Sequence, residues 1–135
     1  MNIKNMSQRD VLIADDDKNI CEVLKEYLIH MGCFKNIVMA HDGILATQKL
    51  RNQRFSLILL DINMPKKTGL DLASEFDNNT LNKKEHVLVI SGSIDKHVIA
   101  HMVQSGIKNF LVKPFDEAIF QEKVLKIISQ TTVNN

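Results

Sequence analysis

Four short segments of this chain carry side chains suited to phosphate and divalent metal: Asp15-Asp16-Asp17, Asp61, Ser91-Gly92-Ser93 and Lys113-Pro114. Each follows directly on an apolar run. Carboxylates gathered at one point raise one another's pKa, so a cation is expected among them. All-oxygen donors with few carboxylates and room for water favour Mg2+ over the larger calcium cage. Asp16 and Asp61 are the expected direct ligands. A phosphoryl group also needs donors that do not depend on the metal: an ammonium, a hydroxyl and exposed backbone amides. Lys113, Ser91 and the amides beyond the strand ends can supply all three. A carboxylate at the metal, facing a lysine and a hydroxyl, is suited to act as nucleophile in phosphoryl transfer, and Asp61 is the one so placed.

These segments meet only if the runs before them are neighbouring strands. The runs are Val11-Leu12-Ile13-Ala14, Ile37-Val38-Met39-Ala40, Leu57-Ile58-Leu59-Leu60, Val87-Leu88-Val89-Ile90 and Phe110-Leu111-Val112. Continuous apolar runs of this length predict strands buried on both faces, the habit of a parallel sheet. Between them lie amphipathic segments, the first spanning Lys18 to Met31 with Asp17 as N-cap and Gly32 as breaker. Further helices are expected over about 44–53, 70–76 and 96–105, with a last one that carries Ile119, Val124, Leu125, Ile127 and Ile128 and ends near Ser129. The polar stretch 77–85 reads as a surface loop. Strand and helix alternate five times, which predicts an α/β fold: a flavodoxin-like, doubly wound five-stranded parallel sheet of order 2-1-3-4-5 with five flanking helices. In such sheets ligands bind beyond the carboxyl ends of the strands, where the four segments lie.

At 135 residues, 44% of them apolar and 24% charged, the chain suits one soluble domain and leaves no room for an output domain. That domain is expected over 10–130, with a flexible arm at 1–9 and a frayed tail at 131–135. Lysine plus arginine (17) nearly cancels aspartate plus glutamate (16), so no global field draws the chain to nucleic acid or anionic lipid. The longest apolar runs fall far short of the roughly 20 residues a membrane helix requires, and the first ten residues lack the apolar core of a secretory signal. The expected compartment is the cytoplasm, where Cys21 and Cys33 stay as unbridged thiols. The five histidines, His41 among them, are scattered. His97 and His101 have a chelating spacing but no third ligand nearby, which favours a solvated helix face.

Four pieces in order carry a family resemblance: the pair Asp15-Asp16; Asp61-Ile62-Asn63-Met64-Pro65 with Gly69 four residues beyond the proline; Ser91-Gly92; and Lys113-Pro114-Phe115. Over roughly residues 10 to 129 the chain resembles the receiver-domain family of two-component signalling, with the stand-alone chemotaxis type as the nearest architectural relative. The resemblance implies that Asp61 is the phosphoacceptor and that Mg2+ is held by Asp16, Asp61, the backbone carbonyl of Asn63 and, through water, Asp15. It implies that Lys113 pairs with the phosphoryl oxygens and that Ser91 swings to hydrogen-bond the new group. Phe110 falls at the family's aromatic switch without the hydroxyl of the tyrosine often found there, so only the packing part of the switch carries over. Lys113-Pro114 is expected cis, and Asn63 and Ser93 occupy positions that tune phosphoryl lifetime. The implied partners are a histidine kinase or phosphotransfer protein as donor and a protein that reads the face of the fourth helix, fifth strand and fifth helix, where Ile99 and Val103 lie. Nucleic acid and membrane are not expected partners, and the chain is expected as a monomer or a phosphorylation-linked dimer. Phosphorylation and dephosphorylation would be self-catalysed, without turnover of a separate substrate.

Plainer roles compete for some of these residues. Asp17 is accounted for by capping, Ser91-Gly92-Ser93 could cap a helix, and Phe110, Ile99 and Val103 could be core. A phosphatase of the haloacid-dehalogenase type uses similar residues, but there the nucleophile follows the first strand and a second aspartate lies two residues on, where this chain has Asn63. A flavodoxin would need a Ser/Thr/Gly-rich loop after the first strand, where this chain has three aspartates.

Overall fold

A computed structural model describes residues 9–76, 81–92 and 95–133. The arm expected at 1–9 lies outside the described residues except for Arg9, as do residues 77–80 of the polar stretch, Ser93, and residues 134–135 of the tail. The strands are β1 (Arg9–Ala14), β2 (Phe34–Ala40), β3 (Leu57–Leu60), β4 (Val87–Ser91) and β5 (Asn109–Val112). All pairings are parallel, in the order β2-β1-β3-β4-β5. The helices are α1 (Lys18–Met31), α2 (Gly43–Asn52), α3 (Gly69–Glu75), α4 (Lys96–Gln104) and α5 (Glu117–Val133), with a 3-10 turn over Lys84–His86. The expected flavodoxin-like sheet is therefore the one observed.

Alternate side chains of each strand point to opposite faces, and two cores result. On one face Leu12, Ala14, Ile58, Leu60, Val87 and Val89 pack with Ala46 and Leu50 of α2, Leu72 of α3 and Met102 of α4. On the other, Val11, Ile13, Leu57, Leu59, Leu88 and Ile90 pack with Leu24 and Leu28 of α1 and Phe120, Val124 and Ile127 of α5. β3 and β4 are buried at every residue, and β1 is buried from Val11 onward. The edge strands depart from the expected burial on both faces. In β2 only Ala40 is buried, and in β5 only Leu111, because the helices cover the middle of the sheet and leave its edges half open.

Local capping sets the helix limits. The Asp17 carboxylate accepts from the amides of Asn19 and Ile20, and Gly32 closes α1 at φ 68°. Asp42 starts α2, a Thr68–Asp71 capping box starts α3, and Asp95 starts α4. Because Asp95 caps α4, Ser91 is left at the end of its strand. The last helix continues past Ser129 to Val133.

The polar stretch before β4 is less superficial than its composition suggests. The Asn82 side chain is buried; its oxygen accepts from the Phe55 amide (2.6 Å) and its nitrogen donates to the carbonyls of Leu50 and Gln53 (2.9 Å each). It pins the end of α2 and the start of β3 to the segment leading into β4. Asn82→Ala leaves these backbone groups unsatisfied and is expected to cost about 2–4 kcal/mol of stability, measured by urea unfolding.

Candidate functional site

The strand ladders carry the four segments to one place. The Asp15 amide donates to the Ala40 carbonyl (3.1 Å) and the Asp61 amide to the Ala14 carbonyl (2.9 Å), so the ends of β1 and β3 lie side by side. The Lys113 amide donates to the Ser91 carbonyl (2.9 Å), which joins the ends of β4 and β5 in the same way. The Lys113–Pro114 bond is cis, as the resemblance implied.

At this edge Asp15 and Asp61 are buried, Asp16 is exposed, and one carboxylate oxygen from each lies within 4.8 Å of the others. The Lys113 ammonium stands 3.0 Å from Asp15 Oδ2 and 4.0 Å from Asp61 Oδ2. The other oxygens are held by backbone: Asp15 Oδ1 accepts from the Asp17 amide (2.9 Å), and Asp61 Oδ1 from the Asn63 amide (3.2 Å). Burial pushes the Asp61 carboxyl above its ordinary range, and the negative charges of Asp15 and Asp16 add to this; the Asn63 amide and Lys113 oppose it. Three carboxylates facing one ammonium form an oxygen-donor cluster that is short of positive charge. That donor chemistry fits a hard divalent cation such as Mg2+.

The loop after Asp61 is shaped by packing. Ile62 and Met64 are buried and anchor it, and the Gly69 amide donates to the Ile62 carbonyl at 2.8 Å. A Cβ on Gly69 would lie 2.6 Å from the Asp61 carbonyl oxygen and 2.7 Å from Ile62 Cα, so α3 can start this close to the acid only with glycine there. Lys66 takes φ 69°, and the Lys67 amide donates back to the Pro65 carbonyl (2.8 Å), a tight turn of the rare strained kind.

The other expected residues divide into groups. Ser91 is completely buried at the end of β4. Phe110, paired with Val89 across the sheet, is half-buried against the core that holds Met102 and Ile107. Ile99 and Val103 are exposed, as are Val112 of β5 and Ile119 of α5. His97 and His101 are exposed on α4, and among the described residues only the three aspartates bring three metal-ligating side chains together. Both cysteines are free, and burial pushes the Cys21 thiol up to about 12.

Two side chains beside the site were passed over in the sequence. His41 Nδ1 lies 3.1 Å, and Cys21 Sγ 3.4 Å, from the Asp15 carbonyl oxygen. The signal available was position alone: His41 directly follows the second apolar run, and Cys21 begins the second turn of the helix after Asp17.

The sequence model of the response regulator receiver domain matches residues 11–125. The chain is 31% identical over 120 residues to the chemotaxis protein CheY of Pseudomonas aeruginosa, covering 89% of this chain and 96% of that protein. Among solved structures, a two-component response regulator from Clostridium difficile superposes with a TM-score of 0.81 at 27% identity, over 92% of this chain and 98% of that one. A CheX–CheY–BeF3–Mg2+ complex from Borrelia burgdorferi gives a TM-score of 0.76 at 29% identity, over 94% of each chain.

Proposed function

The chain belongs to the response regulator receiver domain family, and on that premise we propose that it accepts a phosphoryl group on Asp61 from a histidine kinase or phosphotransfer protein and signals the event to a protein partner. The observation that carries this reading is the convergence of Asp15, Asp16 and Asp61 with Lys113 at one sheet edge. The Borrelia relative, solved with BeF3 and Mg2+, supports the same chemistry.

In this reading Asp16 and Asp61, with the Asn63 carbonyl and, through water, Asp15, would hold Mg2+, which would neutralise the acids and the phosphoryl oxygens. An Asp61 carboxylate oxygen attacks phosphorus, a P–O bond forms, and the P–N bond to the donor histidine breaks with its electron pair going to the ring nitrogen. Lys113 stands near enough to shift from Asp15 toward the incoming negative charge, and the Ser91 hydroxyl supplies a further donor. Loss of the group follows when water attacks phosphorus and the carboxylate leaves, so the cycle regenerates Asp61 without a separate substrate.

The readout is proposed on the face of α4, β5 and α5, where Ile99, Val103, Val112 and Ile119 are exposed and Phe110 lies beneath. Ser91 drawn toward the phosphoryl group would pull the segment between β4 and α4, a local charge change that biases a two-state element. The functional unit is proposed to span 10–130, with β1 reaching back to Arg9 and α5 on to Val133, and to act in the cytoplasm as a monomer or phosphorylation-linked dimer, without nucleic acid. No helix among the described residues is long and apolar enough to cross a membrane.

Amide NMR spectra with Mg2+ and beryllofluoride test the reading. Shifts are expected at Asp61 and Ser91 and along α4 and Phe110. A spectrum that moves only at the acids would refute the signalling face, and one that does not move would refute the whole proposal.

A further inference from the structure

Resting on the phosphoacceptor reading, we infer that His41 and Cys21 are positioning residues whose side chains, converging on the Asp15 carbonyl, hold the Asp15-Asp16-Asp17 turn in its metal-binding shape. In a parallel ladder a residue's N–H and C=O bond to residues on either side of its partner. The Asp15 amide already bonds the Ala40 carbonyl, so the next rung would run from the Asp42 amide to the Asp15 carbonyl. The chain leaves the strand first: β2 ends at Ala40, and Asp42 turns to cap α2 with its carboxylate on the Leu45 amide. Among the described hydrogen bonds, the Asp15 carbonyl receives His41 Nδ1 at 3.1 Å and Cys21 Sγ at 3.4 Å in place of that rung.

A carbonyl only accepts, so a hydrogen bond from His41 to it needs the hydrogen on Nδ1. Cys21 Sγ donates to the same carbonyl at 3.4 Å and lies 3.7 Å from His41 Nδ1. Asp15 is thus tied at its amide, its carbonyl and both carboxylate oxygens, by Ala40, by His41 and Cys21, by the Asp17 amide and by Lys113. The ties to the carbonyl come from α1 and from the residue that directly follows β2, segments that hold none of the three carboxylates. They act on the site through backbone shape, as outer partners do for metal ligands elsewhere.

The test compares the parent chain with His41→Ala, His41→Asn and, as a core control away from the site, Val124→Ala. Two quantities are read: hydrogen exchange of the Asp17 amide without metal, and Mg2+ affinity by amide NMR titration. His41→Ala is expected to speed exchange and weaken Mg2+ binding by about tenfold each. His41→Asn, whose side-chain N–H can reach the same carbonyl, is expected to restore most of both, and Val124→Ala to change neither. The inference is overturned if His41→Ala stays within about twofold of the parent in both readouts, or if Val124→Ala moves them equally. A parent chain that shows no Mg2+ response, while His41→Ala still loosens the Asp17 amide, would remove the phosphoacceptor reading and leave the positioning role supported.

Discussion

Asp61→Asn is expected to abolish phosphoryl uptake and, without Mg2+, to make the fold more stable at neutral pH. The two effects have one cause. Burial and the charges of Asp15 and Asp16 raise the Asp61 carboxyl above its ordinary range, so the native state holds its proton more tightly than the unfolded chain does. The parent therefore loses stability as pH rises from the ordinary carboxylate range through the raised value. Asparagine removes that loss, while Lys113 keeps its 3.0 Å partner in Asp15. At neutral pH the melting temperature is expected to rise by roughly 3–6 °C, the effect of about 1 kcal/mol on a domain of this size. Below the ordinary carboxylate range, where the parent residue is protonated in both states, the difference vanishes. Added Mg2+ narrows the gap, because it stabilises the parent more than the variant. Thermal melts at several pH values with and without Mg2+ check all three statements, and a variant less stable than the parent at neutral pH would contradict them.

Lys113→Ala carries the second large effect, and it separates the metal from the phosphoryl group. Removing the ammonium leaves the buried Asp15 carboxylate without its charged partner, at a cost of about 1–3 kcal/mol in the metal-free protein. Mg2+ is expected to recover much of that loss and to bind at least as tightly as in the parent, since the Lys113 ammonium then no longer competes for the carboxylates. Phosphorylation behaves in the opposite way. The charge developing on the transferred oxygens loses the Lys113 ammonium, so the rate of uptake from a small phosphoryl donor is expected to fall about 10²–10³-fold even at saturating Mg2+. Tight Mg2+ binding with slow uptake is the expected signature. A rate close to that of the parent would mean that Lys113 serves only to neutralise Asp15.

The placement of the site was legible because each of its segments sits where an apolar run stops, and strand order then decides which run ends are neighbours. Runs such as 57–60 and 87–90 read clearly, being buried throughout. The edges read less well, since β2 extends back to Phe34 through exposed Lys35 and Asn36, which no apolar pattern marks. Asn82 was hidden for a related reason: a polar residue in a polar stretch looks solvated, and its burial is created by backbone groups from distant segments. His41 and Cys21 were hidden because their role depends on β2 stopping one rung short, a feature of register that composition does not encode. The sequence also left open what Lys113 touches before any phosphoryl group arrives. The structure gives it Asp15 at 3.0 Å, with Asp61 at 4.0 Å.

The central claim is that Asp61 forms a bond to phosphorus. It is tested most directly by incubating the parent chain with Mg2+ and acetyl phosphate, reducing the product with borohydride and locating the modified residue by peptide mass spectrometry. The account predicts a single modified position, with homoserine in place of Asp61, that requires Mg2+ and is absent from Asp61→Asn. Modification at another residue, or none under conditions in which Mg2+ binds, would contradict it.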